Sequence, residues 1–207
     1  TNYILLEMGQ PMHAFDSRKV ESIRVRRFAE PFEFQTLDGV ERHIDENTLM
    51  ICNGDTPVAI AGIMGGLDSE IVDDTTSLVL ESANFDCVSV RKSSARLSHR
   101  TDASMRYEKS LDPEMTVPAV GRFLKLLRDW DSGVEVTSRL CDEYPAPFEK
   151  VSLEFDKKFV DRYTGIEISN DRIVKTLSSL GFRVHHLGGH FRVDVPTWRA
   201  TKDVTIK

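Results

Sequence analysis

The stretch "LMICNGDTPVAIAGIMGG" (49–66) decides the architecture. "LMICN" (49–53) and "PVAIAGIMG" (57–65) are short, mostly apolar and rich in β-formers, and "SLVLESA" (77–83) is a third run of the same kind. Runs of this length and character read as strands buried on both faces. Gly65 and Gly66 sit together after the second run. Paired glycines let a backbone approach a ligand closely, or simply make a turn. They are not a phosphate-binding loop, because no Gly-Lys-Ser/Thr follows.

Outward from this centre, sheet continues to dominate. "IRVRRFAE" (23–30) alternates like a strand, and "FEFQTLDGVERHI" (32–44) predicts a hairpin with Asp38-Gly39 at its turn. At the start of the chain, Ile4 and Met8 stand one helical turn apart. Gly9 is placed for the left-handed position after the helix, and Gln10-Pro11 breaks into an extended piece, Met12 to Asp16. Helices come late. Asp86 can cap one running to about Leu97, and the segment after Pro113 reads as helical to Trp130, with Pro118 a kink or a later start. Gly133 closes it, and "VEVTSRL" (134–140) predicts a further strand. The fold class expected is α+β, sheet-rich with late helices.

"DEYPAPFEK" (142–150), two prolines among charges, reads as a linker and separates a domain at 1–141 from a smaller one at 151–207. In the second domain "FDKKFVDRYTG" and "SNDRIVKTLSSLG" predict two short helices ending in glycine. Leu177 and Phe182 are spaced for the apolar contact of a Schellman cap. "FRVHHLGGHFRVDVP" predicts a hairpin turning at Gly188-Gly189. Helix-helix-hairpin is winged-like and here truncated: the chain opens on Thr1 and stops after Ile206-Lys207, so it reads as an excised piece.

Of 207 residues, 40% are hydrophobic, enough for a real core, and no apolar run reaches the roughly 18 residues of a membrane span. The three cysteines, Cys52, Cys87 and Cys141, are odd in number and far apart. They suit neither a disulfide framework nor a zinc site, so reduced buried thiols in a cytoplasmic protein are expected. A net charge of −6 argues against indiscriminate nucleic-acid binding. Yet Arg91 to Lys109 carries six basic residues against Asp102 and Glu108, a segment that could hold one phosphate chain or be a solvated helix face.

Three further places invite chemistry, each with a plain alternative. His13 follows a helix end and a Gly-Gln-Pro break, though a lone histidine is more often structural. Glu81 lies in a run of apolar and small residues, where a carboxylate is rare unless paired or hydrogen-bonded, so it faces either a wet edge or a ligand. In "RTDASMRYEK" (100–109), Thr101 and Asp102 are good helix N-cap types, which makes the stretch an ordinary helix start or one wall of a site. No Ser-His-Asp elbow, His-Glu-x-x-His or Cys-x-x-Cys is present, which disfavours nucleophile-triad and zinc hydrolases.

"TNYILLEMGQPMHAFD", "AIAGIMGG", "LVLESANFD" and "RLSHRTDASMRYEKSLDP", in this order and spacing, resemble the editing module of the bacterial-type phenylalanine–tRNA synthetase beta subunit. "YTGIEIS", "LSSLGF" and "VDVPTWR" resemble the small module that follows it. The resemblance implies proofreading, the hydrolysis of mischarged tyrosyl-tRNA(Phe). It assigns catalytic roles to His13, Glu81 and Thr101, and substrate contacts to Thr1, Asn2, Gly65, Glu81 and Ala103. It implies the tRNA(Phe) 3′ end and a catalytic alpha subunit in an alpha2-beta2 heterotetramer as partners. ATP and magnesium serve the whole synthetase but are not needed for editing, and Asp203 lies where a first magnesium ligand belongs. The alternative is a non-catalytic tRNA- or subunit-binding scaffold. Glu81 discriminates: a hydrolase aims it into a cavity, and a scaffold leaves it solvated.

Overall fold

A computed structural model describes residues 1–199, which divide into two compact units between Arg139 and Leu140. The first is α+β. Helix α1 (Asn2–Met8) buries Ile4 and Leu5 and ends at Gly9, whose φ of 75° lets its N–H reach Leu5 O. Eight strands follow: β1 (His13–Asp16), β2 (Arg24–Arg26), β3 (Phe32–Gln35), β4 (Glu41–Ile44), β5 (Met50–Asn53), β6 (Thr56–Ile60), β7 (Met64–Gly65) and β8 (Leu78–Glu81). Then come α2 (Cys87–Arg96), α3 (Asp102–Tyr107) and α4 (Thr116–Trp130). Pro118 falls in the first turn of α4, where no intrahelical partner is needed, so it neither kinks nor delays the helix.

The strands form an antiparallel sheet β2-β5-β6-β7, a separate antiparallel pair β1–β8 and the hairpin β3–β4. The core gathers Phe15, Val20, Ile44, Met50, Ile51, Cys52 and Ile60 with Phe85, Val90 and Tyr107 from the helical half. β5 and β6 are buried, as their apolar character predicts, but β8 is only half-buried along its length. Among the described residues its strand partner is β1 alone, and its end borders a pocket. The predicted strand at 134–140 is not formed: Val136 and Leu140 are exposed, and alternation alone makes no strand without a partner to pair with.

The second unit adds β9 (Ser152–Asp156), α5 (Lys157–Thr164), α6 (Asn170–Ser179), β10 (Arg183–Leu187) and β11 (His190–Asp194). Its sheet runs β10-β11-β9, so the expected helix-helix-hairpin lacked its first strand. That strand is recognisable in "SLEFD", where Leu153 and Phe155 alternate inward against Phe191 and Val193. The cap of α6 is a Schellman turn: Phe182 N–H donates to Leu177 O at 3.1 Å, with Gly181 at φ 86°. Of the cysteines, all free, only Cys52 is buried; Cys87 is half-buried and Cys141 exposed, against the expectation of buried thiols throughout.

Candidate functional site

β1 and β8 pair so that His13, the first residue of one, stands directly opposite Glu81, the last residue of the other. At this end of the pair two open pockets adjoin, an inner and an outer chamber. The inner chamber, ≈ 70 Å³, is lined by Glu81, Tyr107, Gly62 and Ile60. The outer one, ≈ 550 Å³, is lined by Thr1, Asn2, Leu37, Thr101 and Phe123. His13, Gly65 and Ala103 border both. One water needs about 10–15 Å³, so even the inner chamber has room for a ligand's polar end.

The electrostatics of the inner chamber are unusual. Glu81 as a residue is half-buried, but its Oε2 is sealed from solvent and has no hydrogen-bond partner. Burial pushes its carboxyl up to about 7, so near neutral pH the neutral and charged forms coexist. His13 Nε2 is likewise sealed and unpartnered, and burial lowers the pKa of the ring, which favours neutral imidazole. No ion pair joins them among the described residues. Buried polar atoms are normally satisfied, and two orphans on residues that line one pocket mark it as a candidate site.

Gly65 has a packing role of its own. A Cβ there would lie 2.6 Å from His13 Cε1 and 2.7 Å from Nε2. The bare backbone thus admits the protein's own imidazole. Gly66 is crowded in the same way by Phe34 Cζ at 2.6 Å and Val58 O at 2.8 Å. Glycine at both positions is a packing requirement.

Thr101 satisfies both readings of its stretch. It is the N-cap of α3, accepting from Ser104 N–H at 3.1 Å, while Ser104 Oγ accepts from Thr101 N–H at 2.8 Å. Its hydroxyl donates to Ile63 O at 2.8 Å, which ties the helix start to the segment before β7. With its proton so engaged, Thr101 is a fixed wall with one lone pair to offer. Ala103, one step into the helix, presents a small face to both chambers.

The basic run is partly neutralised. Arg96 pairs with Asp45 at 2.8 Å and Arg100 with Glu108 at 2.6 Å, while Arg91, Lys92 and Arg106 have no ion pair among the described residues. Asp203 lies outside the described residues, and among those described no cluster of His, Cys, Asp and Glu could hold a metal ion. Among the described residues no helix is long and apolar enough to cross a membrane. Sequence reading missed Tyr107 and Gln10. The signal for Gln10 was available, since a carboxamide preceding Pro11 has an uncommitted donor beside a residue that lacks one.

Two family models match: B3/4 domain over residues 1–131 and tRNA synthetase B5 domain over 153–207. The whole chain is 42% identical to the phenylalanine–tRNA ligase beta subunit of Clostridium acetobutylicum and 40% identical to that of Clostridium tetani, covering 26% of each. It is 41% identical to that of Solibacter usitatus, covering 27%. It therefore spans about a quarter of the length of the curated relatives it matches. Among solved structures, an N-terminal fragment of the phenylalanyl-tRNA synthetase beta subunit from Pyrococcus horikoshii aligns at 12% identity and TM-score 0.47, over 99% of this chain and 60% of that one. The chain belongs to the B3/4 domain family, in the form carried by phenylalanine–tRNA ligase beta subunits, and continues into a tRNA synthetase B5 domain.

Proposed function

We propose that this chain is the proofreading part of a phenylalanine–tRNA ligase and hydrolyses the ester of tyrosyl-tRNA(Phe). The observation that carries the reading is Glu81 Oε2, a buried acceptor without a hydrogen-bond partner among the described residues, on a residue that lines the smaller of two adjoining pockets. Tyrosine differs from phenylalanine by one hydroxyl. A buried site that needs an OH partner disfavours the analogue lacking it by roughly 10⁴–10⁵ in favourable cases. Glu81 in its ionised form accepts the phenol proton; phenylalanine would leave it bare.

The ester then lies in the outer chamber, among Asn2, His13 and Thr101. An aminoacyl ester is already activated, so a positioned water suffices. The water oxygen adds to the ester carbonyl, the bond from that carbon to the ribose oxygen breaks, and the ribose oxygen takes up a proton. Neutral His13, bordering both chambers, can orient the water or carry its proton, and the free lone pair of Thr101 can hold the water in place. The tRNA(Phe) 3′ end would enter past Thr1 and Asn2. The alpha subunit, the alpha2-beta2 assembly, and ATP and magnesium belong to the aminoacylation half of the same reading.

The test is ester loss from tyrosyl- and phenylalanyl-tRNA(Phe), measured in the assembled synthetase. The reading expects the tyrosyl ester to disappear much faster. Equal rates, or no enzyme-dependent loss of either, would leave the scaffold alternative standing.

A further inference from the structure

The pair β1–β8 ends abruptly at the site. Ser17 N–H donates to Ser77 O at 3.1 Å, and hydrogen-bonded pairs in an antiparallel ladder recur at every second residue. Counting along the register through Phe15↔Val79 and His13↔Glu81, the next such pair sets Pro11 opposite Ala83. Proline has no N–H, so the ladder bond to Ala83 O cannot form.

Two side chains occupy that gap. Gln10 Nε2 donates to Ala83 O at 2.7 Å and to Pro11 O at 3.1 Å. The Tyr107 hydroxyl lies 3.0 Å from Ala83 O and 3.3 Å from Pro11 O. Both residues are almost wholly buried, at 1% and 2% exposure. They come from different elements, the turn after α1 and the last residue of α3. Tyr107 also lines the inner chamber beside Glu81, its ring edge-on to Phe85 at 5.1 Å.

We propose that Gln10 and Tyr107 are positioning residues for the carboxylate that reads the substrate hydroxyl. They supply the rung that Pro11 cannot, fixing the strand pair one step beyond His13 and Glu81. They also keep the Tyr107 hydroxyl committed to backbone carbonyls, so that it does not donate to Glu81. Tyr107 then puts no competing donor on Glu81, and the ligand hydroxyl can take that place. This inference rests on the hydrolytic reading above.

The experiment compares wild type, Glu81→Ala, Tyr107→Phe, Gln10→Leu and the double variant in the assembled synthetase. It reads the ratio of kcat/KM for the tyrosyl ester to that for the phenylalanyl ester, and the pH midpoint of that ratio. Tyr107→Phe removes one neutral hydrogen bond and leaves room for a water that can solvate Glu81. The ratio should fall about three- to tenfold, and the midpoint should move down toward the ordinary carboxylate range. Because Gln10 and Tyr107 serve the same two carbonyls, the double variant should lose more than the product of the single losses. A wild type without tyrosyl preference, or an unchanged ratio in Glu81→Ala, would sink the hydrolytic reading and this proposal with it. If those controls behave and Tyr107→Phe keeps the wild-type ratio and midpoint, or slows both esters equally with the midpoint unmoved, only the positioning role is overturned. Should Gln10→Leu fail to fold, Tyr107→Phe decides alone, since it keeps the ring against Phe85.

Discussion

Replacing Glu81 by alanine tests the centre of the reading. Glu81 Oε2 has no partner in the empty pocket, so the tyrosine hydroxyl would meet an acceptor that gives up no existing bond. A hydrogen bond to a charged group is worth about 1.5–3 kcal/mol. At about 1.4 kcal/mol per decade, kcat/KM for tyrosyl-tRNA(Phe) should fall by one to two orders of magnitude. The phenylalanyl ester should lose nothing, because the variant no longer sets a bare carboxylate against its ring. The carboxyl is held at about 7, and the ionised form is the acceptor, so the selective rate should also rise with pH through neutrality in wild type. Glu81→Gln, which does not titrate, should flatten that rise. The assay is a ratio of two single-turnover rates across pH for each variant. If Glu81→Ala slows both esters equally, Glu81 supports the fold or the general chemistry, and its role as hydroxyl reader is wrong.

The same burial has a thermodynamic consequence. A carboxyl raised from 4.5 to about 7 on folding contributes stability fully present below about pH 4.5 and lost as pH rises through 7, about 3 kcal/mol in all. Tm of wild type should therefore fall relative to Glu81→Gln between these limits, and parallel curves would contradict a dry carboxyl. Gly65→Ala places a methyl within 2.7 Å of the His13 ring; by displacing the imidazole it should slow both esters together, and a loss confined to the tyrosyl ester would contradict the packing. Gly62 holds φ at 69° with a Cβ position 3.0 Å from Phe85 and Val90, so Gly62→Ala should cost about 1–3 kcal/mol in denaturant melts. In the basic run, neutralising Arg91 or Arg106 should reduce the log–log salt slope of tRNA binding by about one each. Neutralising Arg100, already matched by Glu108 at 2.6 Å, should leave it nearly unchanged; an equal drop for all three would show that the pair opens on binding.

Much of the local structure follows from residues within four or five positions of one another. Gly9 ends α1, Asp38-Gly39 and Gly188-Gly189 turn their hairpins, and Thr101 caps α3, because caps and tight turns are closed by neighbours in the chain. The apolar runs at 49–53 and 57–65 likewise announce buried strands, since their composition leaves no wet face. The strand expected at 134–140 did not form, because a strand needs a partner as well as a pattern, and partners are set by the fold. The site belongs to that second category. Which face Glu81 takes was open in the sequence, since Leu78, Leu80 and Ala83 fit either. Only the pairing of β8 with β1 set it opposite His13, 68 residues away, in a chamber closed by α3. That pairing also left Pro11 facing Ala83 without an N–H, and other tertiary contacts gave Gly65 its neighbour in the His13 ring and matched Arg96 with Asp45. Desolvation, close approach and charge pairing depend on distance in space, and the order of residues along the chain does not specify that distance until the strands have chosen their partners.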